Sequence, residues 1–289
     1  MACWHIFHQR DVDRFPYRIP HTGFTVTTIC PQDVRDVSCS DCQQATGLGF
    51  DFTMAFQPIV NIETREVFAY EALVRGKNNE SAWSIIQQIT EKNRYRFDQT
   101  CRIKAIKLAS KLGISCFLSI NFMPNAIYNP EMCIRTTLEA AKHFEFPIEK
   151  IIFECTEGEK IEDQMKLREI IEYYKQTGFK TAIDDFGAGY SGLNLLAEFQ
   201  TDLVKLDMAL IRDIDTHRSK LPIVRGMLQV CDDLGIEVIA EGIETHGEMR
   251  VLEDLGVKLF QGYLFAKPGF ECLPAIASWS EVGVKELQA

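Results

Sequence analysis

The chain has 289 residues, of which 46% are hydrophobic, which fits one large α/β domain with a short extension or two small domains. Its formal net charge is -10, and this argues against a DNA- or RNA-binding surface, because such surfaces are basic. No apolar run approaches the roughly 20 residues of a transmembrane helix, and the N-terminus has no basic flank followed by an apolar stretch. We therefore expect a cytoplasmic protein that does not insert into membranes.

Residues 1–50 differ in composition from the rest of the chain and show no long periodicity, so we interpret them as a separate extension. Cys39 and Cys42 form a CxxC pair, a spacing that can chelate one metal ion. Further candidate ligands of the same site are Cys3, His5, His8 and Cys30. A structural metal would help a short segment with little apolar core to fold. A redox pair, or reduced thiols in an extension packed on the next domain, are the alternatives.

From Phe52 onward, residues 51–289 alternate short β-rich runs with amphipathic stretches. The β-rich runs are MAFQPIVNI, VFAYEALVR, CFLSINF, KIIFECTE, FKTAIDDFG, LVKLDM, EVIAEGIE and KLFQGYLF, and the amphipathic stretches are 82–89, 99–112, 162–177 and 223–234. Strands that alternate with helices indicate βαβ units and a mainly parallel sheet. Eight runs in about 220 residues favour a closed (β/α)8 barrel of the triosephosphate isomerase type over a doubly wound open sheet.

Each β-rich run begins apolar and closes with a carboxylate, an amide or a lysine. These residues are Glu71, Asn121, Glu154, Asp184, Asp185, Lys205, Asp207, Glu241 and Gln261. The C-terminal ends of parallel strands meet at one rim, so we expect these side chains to converge. So many carboxylates would repel one another without cations, and an oxygen-rich set without His favours a hard cation such as Mg²⁺ or Mn²⁺. The adjacent pair Asp184 and Asp185 suits two ions, as in two-metal phosphodiester hydrolysis.

These motifs closely resemble the EAL-domain cyclic di-GMP phosphodiesterases, a family named for the triplet Glu71-Ala72-Leu73. The resemblance runs over residues 53–272 and rests on FQPIV, EALVRG, SINF, FECTE, AIDDFGAGYSGL, VKLDM, AEGIET and QGYLFAKP, in the family's order. It implies a modified (β/α)8 barrel, of α/β class, whose first strand runs antiparallel to the others. It also implies a homodimer that forms near the loop from Asp185 to Leu193.

The resemblance implies a role for each matching residue. Glu71, Asn121, Glu154 and Asp184 would bind a first Mg²⁺ or Mn²⁺ ion, and Asp184, Asp185 and Glu241 a second. Lys205 would orient and polarise the attacking water, so the catalytic set is Glu71, Asp184, Lys205 and Glu241. Arg75 would contact a substrate phosphate, Leu73 would pack on a guanine, and Gln57 and Gln261 would line the substrate site. Gln261 and Glu244 would contact the metal ligands without binding the metal themselves, and Glu157 would anchor the loop DFGAGYSGL.

The predicted function is hydrolysis of cyclic di-GMP to linear pGpG. The alternative is a catalytically silent cyclic di-GMP receptor, which the complete ligand set disfavours. An unrelated metal-dependent barrel hydrolase is disfavoured because no His is among the candidate ligands. Two acidic residues are interpreted more simply, Asp98 as structural support and Asp207 as either a helix cap or a site residue.

Overall fold

The computed structural model describes residues 48–156, 164–189 and 192–280. Within these ranges nine strands form one sheet in the order β2-β3-β4-β5-β6-β7-β8-β1-β9, and an additional β1–β2 pairing closes β1 to β8 into a barrel. The strands are β1 Thr53–Asn61, β2 Glu66–Arg75, β3 Phe117–Asn121, β4 Ile151–Thr156, β5 Lys180–Phe186, β6 Leu203–Leu206, β7 Glu237–Ala240, β8 Leu259–Gln261 and β9 Gly269–Phe270. The predicted eight-stranded barrel is confirmed.

Strand β1 runs against both of its neighbours in the barrel. It pairs antiparallel with β2 and with β8, whereas the pairs from β2 to β8 are all parallel. A tight hairpin makes the β1–β2 reversal possible: Asn61 Oδ1 accepts hydrogen bonds from the backbone of Glu63 and Thr64, and Arg65 takes a positive φ of 57°. The predicted antiparallel first strand is therefore confirmed, and the short β9, which pairs with β1, is an addition to the predicted set.

Eight helices lie among the described residues and cover the barrel. They are α1 Ala82–Ile86, α2 Arg94–Lys111, α3 Pro130–His143, α4 Gln164–Thr177, α5 Gly192–Glu198, α6 Met208–Ile211, α7 Lys220–Asp233 and α8 His246–Asp254. The four amphipathic stretches correspond to α1, α2, α4 and α7, with bounds shifted by up to five residues. None of the described helices has both the length and the apolar composition of a membrane span.

No amphipathic stretch was predicted at α3, α5, α6 or α8, although two of these helices carry clear start signals. Helix α3 follows Asn129, whose side chain accepts from Met132 N, and Pro130 occupies its first turn. Helix α8 begins with a capping box in which Thr245 and Glu248 satisfy each other's backbone N–H groups. These capping signals were readable in the sequence.

The barrel interior has two adjacent layers of side chains, one apolar and one polar. The apolar layer takes one residue from each of seven strands, namely Ile59, Ala69, Ile152, Ala182, Leu203, Ile239 and Leu259. Because side chains alternate across a strand, the residue two positions further along points into the same interior. In β2 and in β4 to β8 those residues are Glu71, Glu154, Asp184, Lys205, Glu241 and Gln261, and in the reversed β1 the corresponding residue is Gln57. Strand alternation therefore places these polar side chains together in a second layer, which we call the polar rim.

Candidate active site

The ammonium group of Lys205 lies at the centre of the polar rim and contacts four carboxylates. Its Nζ atom is 2.7 Å from Glu241 Oε1, 3.0 Å from Glu154 Oε2 and 3.0 Å from Asp184 Oδ1. The fourth contact, to Glu71 Oε2, is 3.3 Å long. We call Glu71, Glu154, Asp184, Asp185 and Glu241 the carboxylate cluster. A single cation cannot neutralise five ionised carboxylates, and most of the cluster is buried.

Amide and hydroxyl groups fix the orientation of two cluster carboxylates. Asn121 Nδ2 donates to Glu71 Oε1 over 2.9 Å, and Gln261 Nε2 donates to Glu71 Oε2 over 2.8 Å. Ser119 Oγ donates to Glu154 Oε1. Ser119 was not predicted as a site residue, although it lies two residues before Asn121 on the same strand face. These bonds hold the carboxylates in one geometry.

Asp184 and Asp185 are consecutive, and an irregularity in β5 lets both approach the site. The pairing register between β5 and β6 shifts between Ile183 and Phe186, and Asp185 takes a positive φ of 54°. Aspartate tolerates this backbone region better than most residues. Asp184 Oδ1 also accepts the backbone N–H of Asp185 over 3.0 Å. A bulge that redirects side chains beside an active site is a recurrent device in sheets.

Burial and crowding raise the pKa values of three cluster carboxylates, Glu154, Asp185 and Glu241. Burial, only partly offset by Lys205, raises the pKa of Glu154 to about 8 and that of Glu241 well above its usual range. Burial, together with the Asp184 and Asp207 carboxylates, raises the pKa of Asp185 to about 6. Burial alone would lower the pKa of Lys205, but the surrounding carboxylates raise it well above its usual value, so the ammonium stays charged. The cluster as a whole therefore favours the uptake of positive charge.

The donor groups fit divalent metal ions. Glu71, Glu154 and Asp184 bring ligand oxygens within 4.8 Å of one another, and so do Asp184, Asp185 and Glu241. Asp184 belongs to both groups, as a bridging carboxylate would. Asn121 uses its amide nitrogen to donate to Glu71, so its carbonyl oxygen is available as a further metal ligand. The buried Gln261 Oε1 accepts no hydrogen bond from the described residues. An all-oxygen set of this kind matches Mg²⁺, Mn²⁺ or Ca²⁺ better than Zn²⁺.

Two cavities open beside the cluster. One, of about 350 Å³, has a largely apolar wall that includes Leu73, Phe97 and Met123, and it reaches Glu71 and Asp184. The other, of about 280 Å³, is lined by Gln57, Glu244, Tyr263 and other residues together with Glu71, Asp185 and Glu241. Gln57 Nε2 donates to the Ala266 carbonyl oxygen over 3.2 Å. Both cavities include Glu71 in their lining, so both open onto the carboxylate cluster.

Several predicted residues lie at the edge of this arrangement or outside it. Arg75 is half-buried, and its Nη1 donates to the Val74 carbonyl oxygen. Glu244 is half exposed and pairs with Arg212 at 2.8 Å, so its described bonds do not reach the cluster carboxylates. Asp207 accepts from Ala209 N and caps α6, as one interpretation expected. Glu157, Cys39 and Cys42 lie outside the described residues, and so does the whole of 1–47.

Comparison with known proteins identifies related chains. A family model described as the EAL domain matches residues 41–268. A standalone versatile EAL protein of Vibrio cholerae O395, solved in its c-di-GMP-bound form, superposes with a TM-score of 0.79 and 61% identity over 81% of this chain and 99% of its own. BlrP1 of Klebsiella pneumoniae, solved as a calcium and cyclic di-GMP complex, gives 0.74 and 35% over 80% of this chain and 59% of its own.

Curated relatives include both regulators and enzymes. The blue light- and temperature-regulated antirepressor BluF of Escherichia coli is 35% identical over 251 residues, which are 86% of this chain and 61% of BluF. The cyclic di-GMP phosphodiesterase PdeR of Escherichia coli is 34% identical over 57% of this chain and 24% of its own length. The chain therefore spans about three fifths of one relative and about a quarter of the other.

Proposed function

The chain belongs to the EAL domain family, and from that premise we propose that it hydrolyses cyclic di-GMP to linear pGpG at the carboxylate cluster. The observation that carries the proposal is the complete oxygen-donor set around Lys205, with Asp184 shared between two groups of potential ligands. Relatives named cyclic di-GMP phosphodiesterase support the substrate. The two cavities beside the cluster suit a substrate that carries two guanine halves.

Each residue of the site has a proposed task. Two divalent cations, Mg²⁺ or Mn²⁺, would supply an activated water and neutralise charge on the phosphodiester. Glu71, Asn121, Glu154 and Asp184 would hold one, and Asp184, Asp185 and Glu241 the other. Lys205 keeps its proton, so it acts as a fixed cation that orients water and offsets carboxylate charge, and not as a base. BlrP1 of Klebsiella pneumoniae was solved as complexes with calcium and with manganese, each with cyclic di-GMP, which supports a divalent metal in this proposal.

Substrate contacts are proposed from the cavity walls. Leu73 lines the larger cavity and would pack on one guanine, because an apolar wall favours the flat face of a base. Gln57 and Gln261 line the smaller cavity, and Arg75 would reach a phosphate from the top of β2. Glu157 keeps its predicted role as anchor of the loop DFGAGYSGL, whereas Glu244 pairs with Arg212 at the wall of the smaller cavity. We also propose that the protein is cytoplasmic and forms a homodimer. Exposed apolar side chains in and after the loop from Asp185 to Leu193, namely Leu193, Met208 and Ile223, support the dimer.

A cyclic di-GMP receptor without catalysis is the alternative, favoured by the regulatory name of BluF. Binding and turnover measured on the same sample separate the two. We expect the wild-type protein with Mn²⁺ to release pGpG, seen by chromatography, and Glu71→Gln to lose turnover by orders of magnitude while calorimetry still detects cyclic di-GMP binding. Tight binding without any product in the wild-type protein would establish the receptor instead.

A further inference from the structure

A fully buried ion pair lies outside the barrel wall, behind the candidate active site. Asp98 and Arg102 are one turn apart on α2, and Arg102 Nη2 lies 2.8 Å from Asp98 Oδ2. Asp98 is 2% exposed and Arg102 is 0% exposed. Burial raises the pKa of Asp98 despite the neighbouring guanidinium. Such a pair is costly to desolvate, so its presence calls for a reason other than stability.

Aromatic rings from three elements surround the Arg102 guanidinium. Its central carbon lies 4.9 Å from the ring centroid of Phe153 and 5.7 Å from those of Phe122 and Tyr174. Arg102 Nη1 also donates to the Tyr174 hydroxyl over 2.9 Å. Rings within about 6 Å of a cation attract it through their quadrupoles. The cation thereby ties α2 to α4 and to the outer faces of β4 and the end of β3.

The two phenylalanines are the direct chain neighbours of two proposed metal ligands. Phe122 follows Asn121, and Phe153 precedes Glu154. Since successive side chains of a strand point to opposite faces, the rings pack outward on Arg102 while Asn121 and Glu154 point into the barrel. The backbone N–H of Phe122 donates to the Glu154 carbonyl oxygen over 2.9 Å, which links the two strand ends.

Asp98 completes the connection through the backbone. Its Oδ1 accepts the N–H of Met123 over 2.9 Å, two residues beyond Asn121. Strand β3 ends at Asn121, so this hydrogen bond fixes the backbone directly after the strand. Met123 and Asp98 also line the larger cavity. A hydrogen bond has a preferred direction, which apolar packing lacks, so this network can hold a ligand position more narrowly than a hydrophobic contact.

We propose that Asp98, Arg102 and Tyr174 are positioning residues that hold Asn121 and Glu154 in place to bind a metal ion. The proposal rests on the proposed function, since it assigns the network to the metal site of that reaction. These residues act on the metal ion through Asn121 and Glu154 and not by direct contact with it. Groups that orient ligands from behind typically change metal affinity or activity by about 10- to 100-fold when they are replaced.

The test replaces the ion pair by apolar residues of similar volume. Such swaps are often neutral or favourable for stability, so Asp98→Leu with Arg102→Met is expected to fold. It should melt somewhat below the wild-type temperature, because the Met123 N–H loses its acceptor. We expect its affinity for Mn²⁺, measured by calorimetry without substrate, to fall about 10- to 100-fold. The matched control is Arg168→Ala with Glu172→Ala, an exposed i,i+4 pair on α4, which should bind Mn²⁺ as the wild type does.

The outcomes separate this proposal from the proposed function. If the wild-type protein neither binds Mn²⁺ nor releases pGpG, the proposed function fails. If the wild type does both and the double variant binds Mn²⁺ equally well, the positioning role is refuted. Should the double variant not fold, Tyr174→Phe removes only the hydroxyl that Arg102 bonds, and the ion pair remains. We expect Tyr174→Phe to weaken Mn²⁺ binding at least threefold, and wild-type affinity in it would equally overturn the proposal.

Discussion

Replacement of Lys205 by Met tests whether the ammonium group neutralises the carboxylate cluster. Lys205 is 1% exposed, and four carboxylate oxygens lie within 3.3 Å of its Nζ atom. Removal of one partner of a buried ion pair costs about 3–5 kcal/mol. In a domain of 150–250 residues each kcal/mol moves Tm by about 2–4 °C. We therefore expect the metal-free variant to melt about 6–20 °C below the metal-free wild type.

Thermal unfolding in chelator and in Mn²⁺ is the assay. Added Mn²⁺ should restore most of the lost melting temperature of Lys205→Met, because the bound cations replace the missing positive charge. Turnover should stay low even with metal, while the affinity for cyclic di-GMP changes little. The matched control is Lys258→Met, since Lys258 pairs with Glu63 at 3.0 Å on the surface and should change stability by less than about 0.5 kcal/mol. The reasoning is refuted if metal-free Lys205→Met melts with the wild type, or if Mn²⁺ leaves the difference unchanged.

Further predictions concern the metal site and the extension. Asp184→Asn should abolish detectable pGpG formation in a chromatographic assay, and near-normal turnover would contradict its shared position between the two ligand groups. Ca²⁺ should bind and yet support little hydrolysis, since it is larger and activates water less than Mn²⁺; equal rates in the two metals would count against the mechanism. Metal-free protein should lose thermal stability as pH rises from about 5 to above 8, because the raised pKa of Glu154 makes its contribution complete below 4.5 and lost as pH passes about 8. Excess Mg²⁺ should flatten this pH profile, and a profile that is already flat in chelator would argue against a buried, uncompensated cluster. Elemental analysis of protein purified without added metal should find Zn or Fe, and this metal should be lost in Cys39→Ser with Cys42→Ser. If the wild type contains no Zn or Fe, the extension has no metal site.

The polar rim was predictable because it depends on local patterns. A parallel strand that places an apolar residue two positions before a polar one points both into the barrel, as in Ile152 and Glu154 or Ile239 and Glu241. The shared direction of parallel strands then brings their ends together. The assumption that each polar residue closes its strand was less accurate for Glu71, since β2 continues to Arg75. Alternation, and not the exact strand end, is what selects these residues.

Other features depend on contacts that only the closed barrel creates. The four contacts of Lys205 join residues that are up to 134 positions apart, and no spacing rule in the sequence connects Lys205 with Glu71. The bulge that lets Asp184 and Asp185 enter together depends on the register against β6. The Asp98–Arg102 pair looks like an ordinary i,i+4 helix pair until burial and the surrounding rings are known. Long-range packing, not local preference, decides these features.

The number of metal ions needed for hydrolysis can be measured by titrating metal into the protein. Protein freed of metal is titrated with Mn²⁺, and bound metal per chain is measured beside the rate of pGpG formation from cyclic di-GMP. We expect no product without metal. The rate should reach its full value when two ions are bound per chain, counted in the Cys39→Ser, Cys42→Ser variant so that metal in the extension is not included. Hydrolysis in the presence of excess chelator, or full turnover with a single bound ion, would contradict it.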